Sequence, residues 1–192
     1  MPFASGQPAQ YLLAMPPPPT AGLDAKAADQ SAEDRPGLVI VGIGNLLCGD
    51  DGLGVIAAEE LQRRYRIPGE VPVLDGGTRG LALLPFLAGA KNVLLVDAVL
   101  EREGPGALVR LEGGDLAASV RRPLSGHGIG VSELVGALRL IEGPPHTLLL
   151  GLVPKRVGTG VGLSPEVRQG LPHLLEAIAA EAARLGFPLR QN

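Results

Sequence analysis

Two almost continuously apolar runs restrict the folds open to this chain. They are LVIVGIG at 38–44 and KNVLLVDAVL at 91–100. Each has the length of a β-strand, and neither shows the polar–apolar alternation of a strand with one solvent-facing side. Such runs are typical of strands covered by helices on both faces, which favours a parallel α/β architecture. Neither run is long enough to cross a bilayer.

After residue 36, strand-type and helix-type patterns alternate along the chain. We predict strands at 38–44, 71–77, 91–100, 107–112 and 146–153, helices at 53–65, 80–87, 131–141 and from Pro165 onward with Ser164 as cap, and a Gly-rich loop at 113–128. The connection between the third and fourth strands is too short for a helical crossover, so the fourth strand should run antiparallel. The prediction is a three-layer α/β/α sandwich around a twisted, mainly parallel, five-stranded sheet with one antiparallel strand.

Length and composition bound the domain organisation. A chain of 192 residues is long enough for one domain with a substantial core. Residues 1–36 contain MPPPPT and the polar run DAKAADQSAEDRPG, which bury too little apolar surface to offset the entropy lost on ordering. We expect 1–36 to be a disordered N-terminal extension, whose prolines could alternatively bind a partner. We expect 37–192 to form a single α/β domain.

Charge and cysteine content argue against several classes of function. A net charge of -3 and an aromatic content of 3% disfavour nucleic-acid binding, which needs basic surfaces and stacking platforms. A single cysteine, Cys48, rules out an intramolecular disulfide and a CxxC zinc module. No basic segment precedes an apolar stretch at the N-terminus. We expect a cytoplasmic monomer with no membrane partner, acting on a small molecule or a protein.

Three acidic residues and one histidine fall where a ligand should bind. The carboxyl ends of parallel strands share one edge of a sheet, and ligands bind beyond that edge. Asp51 follows the first predicted strand, Asp75-Gly76-Gly77-Thr78 closes the second, and Asp97 lies near the end of the third. The predicted helix at 131–141 must return down the sheet, which brings His127 to the same edge. Two carboxylates and one imidazole suit a borderline divalent cation and leave positions open for water or substrate.

Structural roles for the same residues remain open. Asp50 or Asp51 could cap the following helix, because Asp is a favoured N-cap residue. Asp97 could accept a structural hydrogen bond from a nearby loop, although an unpaired buried carboxylate is costly. His127, which lies between two glycines, could be an ordinary loop residue.

The glycines of VGIGNLLCGDDG (41–52) do not form a dinucleotide-binding fingerprint. The G-x-G-x-x-G pattern needs a glycine where this chain has Leu47, and two acids at the helix start would repel a phosphate. We interpret the stretch as a tight turn that displays carboxylates. No nucleophile is evident either: Cys48 is interpreted as a packed thiol, and Ser125 is not part of a G-x-S-x-G elbow.

Five segments, taken in order, resemble the nickel-iron hydrogenase maturation endopeptidases. They are VGIGNLLCGDDGLGV, VLDGGTRGLALLPFL, NVLLVDAV, GHGIGVSELVGALRL and GLSPEV. The resemblance covers nearly all of the chain after residue 36 and implies a twisted sheet between layers of helices. The chain departs from the family pattern at Pro154-Lys155-Arg156, where relatives commonly carry Pro-Glu, and at GHGIG, where PHQ-x-G is frequent.

The resemblance also implies a function. It indicates an aspartic-type endopeptidase that removes a C-terminal extension from the nickel-loaded large-subunit precursor of a nickel-iron hydrogenase. Asp51, Asp97 and His127 match the family's metal-binding positions, and Asp75 to Thr78 match a turn associated with substrate engagement. Nickel would arrive with the substrate, so no permanently bound metal is expected. Two alternatives remain: a non-catalytic maturation chaperone that holds the loaded subunit, and a Rossmann-like nucleotide-dependent enzyme.

Overall fold

A computed structural model describes residues 35–119 and 131–192. In chain order the strands are β1 (Val39–Ile43), β2 (Tyr65–Arg66), β3 (Val73–Gly77), β4 (Asn92–Ala98), β5 (Leu108–Glu112), β6 (His146–Leu152) and β7 (Arg190–Gln191). The α-helices are α1 (Leu53–Arg64), α2 (Leu84–Leu87), α3 (Gly113–Ser119), α4 (Val131–Leu140) and α5 (Pro165–Arg184). Short 3-10 turns at Asp50–Gly52 and Gly80–Leu83 precede α1 and α2. The predicted extension at 1–36 lies almost wholly outside the described residues.

Five strands form the main sheet, in the order β3-β1-β4-β6-β5. β1 pairs in parallel with β3 and β4, and β4 pairs in parallel with β6. β5 runs antiparallel to β6. The predicted mainly parallel sheet with one antiparallel strand is therefore confirmed. The carboxyl ends of β1, β3, β4 and β6 lie along one side of the sheet, which is called the carboxyl edge below.

The central strands contribute to two apolar cores, one on each face of the sheet. On β1, Ile40 packs with residues of α1 and α5, whereas Val39 and Val41 pack with residues of α2 and α4 on the other face. On β4, Leu94 joins the first core and Leu95 joins the second. Burying each such side chain contributes about 1.5–3 kcal/mol. Successive residues of these strands are apolar because helices cover both faces of the sheet. This confirms the predicted three-layer architecture.

Three local features differ from the prediction. Residues 113–119 form α3 and not a loop, since Asp115 in its first turn favours a helix start by complementing the N-terminal dipole. The remainder of the predicted loop, 120–128, lies outside the described residues. Ser164 occupies the N-cap position of α5, but its side chain makes no capping hydrogen bond. β2 and β7 pair in a small antiparallel ribbon whose two-residue strands leave no sequence pattern.

No helix in the two described ranges has the length and apolarity required to traverse a membrane.

The first turn of α1 touches the backbone of the sheet. A Cβ atom built on Gly54 would lie 2.1 Å from the carbonyl oxygen of Val96 and 2.3 Å from that of Ile43. On the strand side, a Cβ atom built on Gly42 would lie 2.0 Å from the carbonyl oxygen of Gly54. These neighbours are backbone atoms, so no side-chain rotation can relieve the overlap. The two glycines therefore set the position of α1, and with it the position of the turn at Asp50–Gly52.

We predict that Gly54→Ala destabilises the protein by about 3 kcal/mol, because α1 must move away from the sheet to admit the methyl group. Gly136→Ala in α4 is the matched control: no described atom lies within 4 Å of a Cβ built there. That variant should gain about 0.5–1 kcal/mol through improved helix propensity. Denaturant unfolding of both variants measures the difference, and equal effects would contradict the close-contact argument.

Candidate active site

The turn between β1 and α1 is built around a second close backbone contact. Gly44 has a φ of 137°, a conformation that residues with a side chain rarely adopt, and a Cβ built on it would lie 1.8 Å from the carbonyl oxygen of Asp51. Asp51 is 7% exposed, and its Oδ2 accepts a hydrogen bond of 3.1 Å from the backbone N–H of Asn45. Glycine at 44 thus allows the turn to fold Asp51 back against the end of β1.

Asp97 lies near the carboxyl end of the neighbouring strand β4. Its Oδ1 accepts a hydrogen bond of 2.7 Å from the backbone N–H of Ala98. Opposite it on β6 is Gly151, where a Cβ would lie 2.1 Å from the carbonyl oxygen of Asp97. Part of Asp97 remains accessible to solvent. The alternative role, a hydrogen bond from a neighbouring loop, does not account for this contact, since the donor is the next residue along the strand.

Asp51 and Asp97 form an acidic pair with perturbed protonation. Burial raises the pKa of Asp97 well above its ordinary value of 3.8, and the nearby negative charge of Asp51 raises it further. Burial also raises the pKa of Asp51, with the Asn45 amide acting in the opposite direction. Burial disfavours the charged form of both groups, and the charge on Asp51 makes ionisation of Asp97 less favourable still. Such a pair can hold and release a proton or bind a cation.

Asp50, the neighbour of Asp51, has a structural role. It is 0% exposed. Its Oδ2 accepts hydrogen bonds of 2.9 Å from the backbone N–H groups of Lys155 and Arg156, and its Oδ1 accepts one of 2.6 Å from that of Ser164. No side chain caps the 3-10 turn or α1. Neither Asp50 nor Asp51 is therefore an N-cap residue, which was the alternative role considered from the sequence. Asp50 instead fixes the loop that follows β6.

Burial alone would raise the pKa of Asp50, but its three backbone donors outweigh that effect. The N–H groups of Ser164, Arg156 and Lys155 hold the pKa below the ordinary value of 3.8. Asp50 therefore stays ionised in the folded protein, whereas its neighbour Asp51 is shifted towards the neutral form. Sequence analysis missed this role because the donors lie 105 to 114 residues further along the chain.

The structure describes the remaining predicted site residues only in part. Asp75 is an exposed residue in the middle of β3, opposite Gly42, and its carbonyl oxygen accepts a hydrogen bond of 3.1 Å from Nη1 of Arg79. Gly77 has a φ of 49° and its carbonyl accepts a bond from the N–H of Gly44, which ties the Asp75–Thr78 turn to the Asp51 turn. His127 lies outside the described residues.

The structure thus brings together two of the three predicted metal ligands. Within 35–119 and 131–192, no group of three His, Cys, Asp or Glu side chains is arranged to hold a metal ion. Asp75 does not complete the Asp51 and Asp97 pair, although it lies on the same edge. Cys48, which precedes the turn at Asp50–Gly52, is half-buried and its thiol is free.

A mainly parallel sheet with a perturbed acidic pair beyond its carboxyl edge has the architecture of an α/β enzyme. The family model for hydrogenase maturation proteases matches residues 55–181. The hydrogenase 2 maturation protease of Escherichia coli (strain K12) is 31% identical over 151 residues, covering 78% of this chain and 92% of that protein. The hydrogenase expression/formation protein HupD of Bradyrhizobium diazoefficiens is 33% identical over 158 residues, covering 81% of this chain and 82% of that protein.

Solved structures agree with these relatives. The hydrogenase maturating endopeptidase HybD from E. coli superposes with a TM-score of 0.74 at 30% identity, covering 81% of this chain and 97% of that one. The chain belongs to the hydrogenase maturation protease family, as the resemblance of its five segments indicated. It is accordingly an endopeptidase, and the Rossmann-like alternative is not supported.

We predict that Asp50→Asn destabilises the protein by about 2–4 kcal/mol, because a neutral amide cannot accept all three hydrogen bonds and leaves buried N–H donors unpaired. Glu59→Gln, which changes an exposed carboxylate on α1 in the same way, is the control and should leave stability almost unchanged. Denaturant unfolding at neutral pH measures both. Because the folded pKa of Asp50 is depressed, its contribution is complete above the unfolded value and is lost as pH falls through the folded value. Equal stability of Asp50→Asn and wild type would refute this role.

We predict the opposite for Asp97→Asn in the metal-free protein. The folded pKa of Asp97 is raised, so ionising it costs stability at every pH above the unfolded value of 3.8. The substitution removes that cost and keeps the acceptor for the Ala98 amide. The melting temperature should rise at neutral pH, and the gain should vanish below about pH 4, where both side chains are neutral. A lower melting temperature at neutral pH would contradict the raised pKa.

Proposed function

We propose that this protein removes a C-terminal extension from the nickel-loaded large-subunit precursor of a nickel-iron hydrogenase and thereby completes its maturation. Membership of the family supplies the reaction class. The observation that supports the site is the Asp51 and Asp97 pair at the carboxyl edge, held by backbone contacts at Gly44, Gly54 and Gly151. These contacts fix the two carboxyl groups before any substrate arrives.

The protonation of the pair suggests how nickel loading could be sensed. Without a cation, burial, reinforced by repulsion from the negative charge of Asp51, favours a proton on Asp97. A divalent cation offsets that repulsion and lowers both pKa values, so the pair ionises when the substrate's nickel reaches it. His127 would supply the nitrogen ligand of the predicted O,O,N set, and the nickel belongs to the substrate.

The pair also suits the proton transfers of peptide hydrolysis. A water oxygen bonds to the scissile carbonyl carbon, the C–N bond breaks, and the leaving nitrogen gains a proton. A carboxylate of the pair can take the proton from water and return it to the leaving amine. Asp75 to Thr78 would engage the substrate beside this site, because β3 is an edge strand and its terminal turn is bonded to the Asp51 turn.

The proposal extends to the setting of the reaction. The partner is the hydrogenase large-subunit precursor, which a monomer of this protein binds transiently in the cytoplasm. No resident metal is needed, since the substrate carries the nickel.

The test is processing of a purified nickel-loaded precursor, followed by mass spectrometry. We predict that Asp51→Asn and Asp97→Asn each reduce the rate at least about 100-fold, because each removes a cation ligand or a proton carrier. Glu59→Gln, an exposed carboxylate on α1, is the control and should process normally. Full activity of both site variants would eliminate the proposed site, and a stable complex without mass loss would indicate the chaperone alternative.

A precursor without nickel provides the second arm of the test. Wild-type protein should leave it uncut. Equal processing of loaded and unloaded precursor would contradict nickel sensing while leaving the protease assignment intact.

A further inference from the structure

Exposed apolar side chains are concentrated around the candidate active site. Among the described residues, seven large hydrophobic side chains are exposed: Leu46, Leu47, Leu81, Leu100, Leu108, Leu140 and Val161. Six of them follow β1, β3, β4 or β6, or begin β5 where it pairs with the end of β6. The exception is Leu140, which ends α4 just before the start of β6. The apolar surface is therefore placed at the carboxyl edge and not spread over the molecule.

The most exposed part of this edge is a pair of loops joined by backbone hydrogen bonds. The loop at 45–49 carries Leu47, which is 66% exposed, and the loop at 154–164 carries Val161, which is 80% exposed. The N–H of Gly160 donates to the carbonyl of Leu47 over 2.9 Å, and the N–H of Gly49 donates to the carbonyl of Gly160 over 2.7 Å. The two loops therefore form one surface, which we call the paired-loop platform and define as 45–49 with 154–164.

Hydrogen bonds to the buried Asp50 anchor the platform to the rest of the fold. In addition to the three bonds to its carboxylate, the N–H of Asp50 donates to the carbonyl of Arg156 over 3.0 Å. A surface fixed in this way loses little conformational entropy when a partner binds. Single exposed apolar side chains are common on protein surfaces, but several on one rigid surface, here Leu46, Leu47 and Val161, are typical of a protein-binding site.

The platform is also positively charged. Its exposed charged side chains are Lys155 and Arg156, and its sequence contains no acidic residue. Lys155 lies 3.5 Å from Glu166, which is just outside the platform. Arg156 forms no ion pair with any described residue, and its guanidinium lies across both loops, close to Gly49 and Gly160. A guanidinium without an ion pair, on a surface that also exposes apolar side chains, fits a partner surface that is both apolar and acidic.

We propose that the paired-loop platform, through Leu47, Val161 and Arg156, is the docking surface for an acidic, apolar segment of the precursor's folded body. This inference rests on the proposed function, which supplies the partner. Docking on a surface adjacent to Asp51 and Asp97 orients the precursor so that its extension reaches the acidic pair. The platform then determines which precursor is accepted, and the acidic pair carries out the reaction.

The test compares the kinetics of precursor processing by platform variants and by controls at the opposite edge. Leu47→Ser combined with Val161→Ser removes the apolar contacts, and Arg156→Glu reverses the charge. Leu140→Ser and Arg190→Glu are the matched controls, since both lie away from the carboxyl edge and are exposed. Each platform variant should raise KM about 10-fold or more, and kcat should change much less. The controls should keep the wild-type KM.

Two further measurements isolate the electrostatic contribution of Arg156 to docking. They are the salt dependence of KM and the effect of a conservative substitution. The wild-type KM should rise between about 0.05 M and 0.5 M NaCl because screening weakens the Arg156 contact, whereas the KM of Arg156→Glu should fall, because salt screens the repulsion that this substitution introduces. Arg156→Lys, which retains the charge, should recover much of the wild-type KM. Melting temperatures within about 2 °C of wild type are expected, since the altered side chains are exposed.

Three results would overturn the proposal. The first is an unchanged KM for both platform variants in an experiment in which the wild-type protein processes the precursor normally. The second is a loss confined to kcat. The third is self-association of the wild type, in sedimentation experiments, that the Leu47 and Val161 substitutions abolish, which would assign the platform to a second copy of the chain. Failure of the wild type to process any precursor would instead reject the proposed function itself.

Discussion

The backbone contact between α1 and the carboxyl edge of the sheet is the constraint on which the site depends. Gly42 and Gly54 let the helix start within van der Waals reach of β1 and β4, and Gly44 lets the preceding turn close on the carbonyl of Asp51. A side chain at any of these positions would separate helix and sheet. Because the turn at Asp50–Gly52 is fixed between them, both of its carboxyl groups have defined surroundings.

Those surroundings give two adjacent aspartates opposite properties. Asp50 faces the loop after β6 and accepts three backbone hydrogen bonds, which lower its pKa in spite of burial. Asp51 faces the end of β4 and accepts one bond, from Asn45, while burial beside Asp97 raises its pKa. The number of N–H donors thus decides which carboxyl group stabilises the fold and which one is available for chemistry.

How much of this could be predicted from the sequence depends on the range of the interactions involved. The sheet, its antiparallel strand and the pairing of Asp51 with Asp97 follow from apolar runs, connection lengths and the geometry of parallel strands, all of which are local or topological. The role of Asp50 depends on backbone donors more than a hundred residues away, so no local pattern reveals it. The helix at 113–119 was missed because two glycines at its start resemble a loop. His127 remains a prediction, since it lies outside the described residues.

The carboxyl edge concentrates features that lower stability. A buried carboxyl group, Asp51, lies beside the half-buried Asp97, and six exposed apolar side chains lie along the same edge. Each is costly in the free protein, and each becomes favourable only when a partner supplies a cation or an apolar surface. The Asp50 hydrogen bonds and the glycine contacts offset these costs on the same edge, without occupying the surface that the partner needs. A site of this kind is therefore stable enough to persist unliganded, yet gains most of its interaction free energy from the substrate it is built to receive.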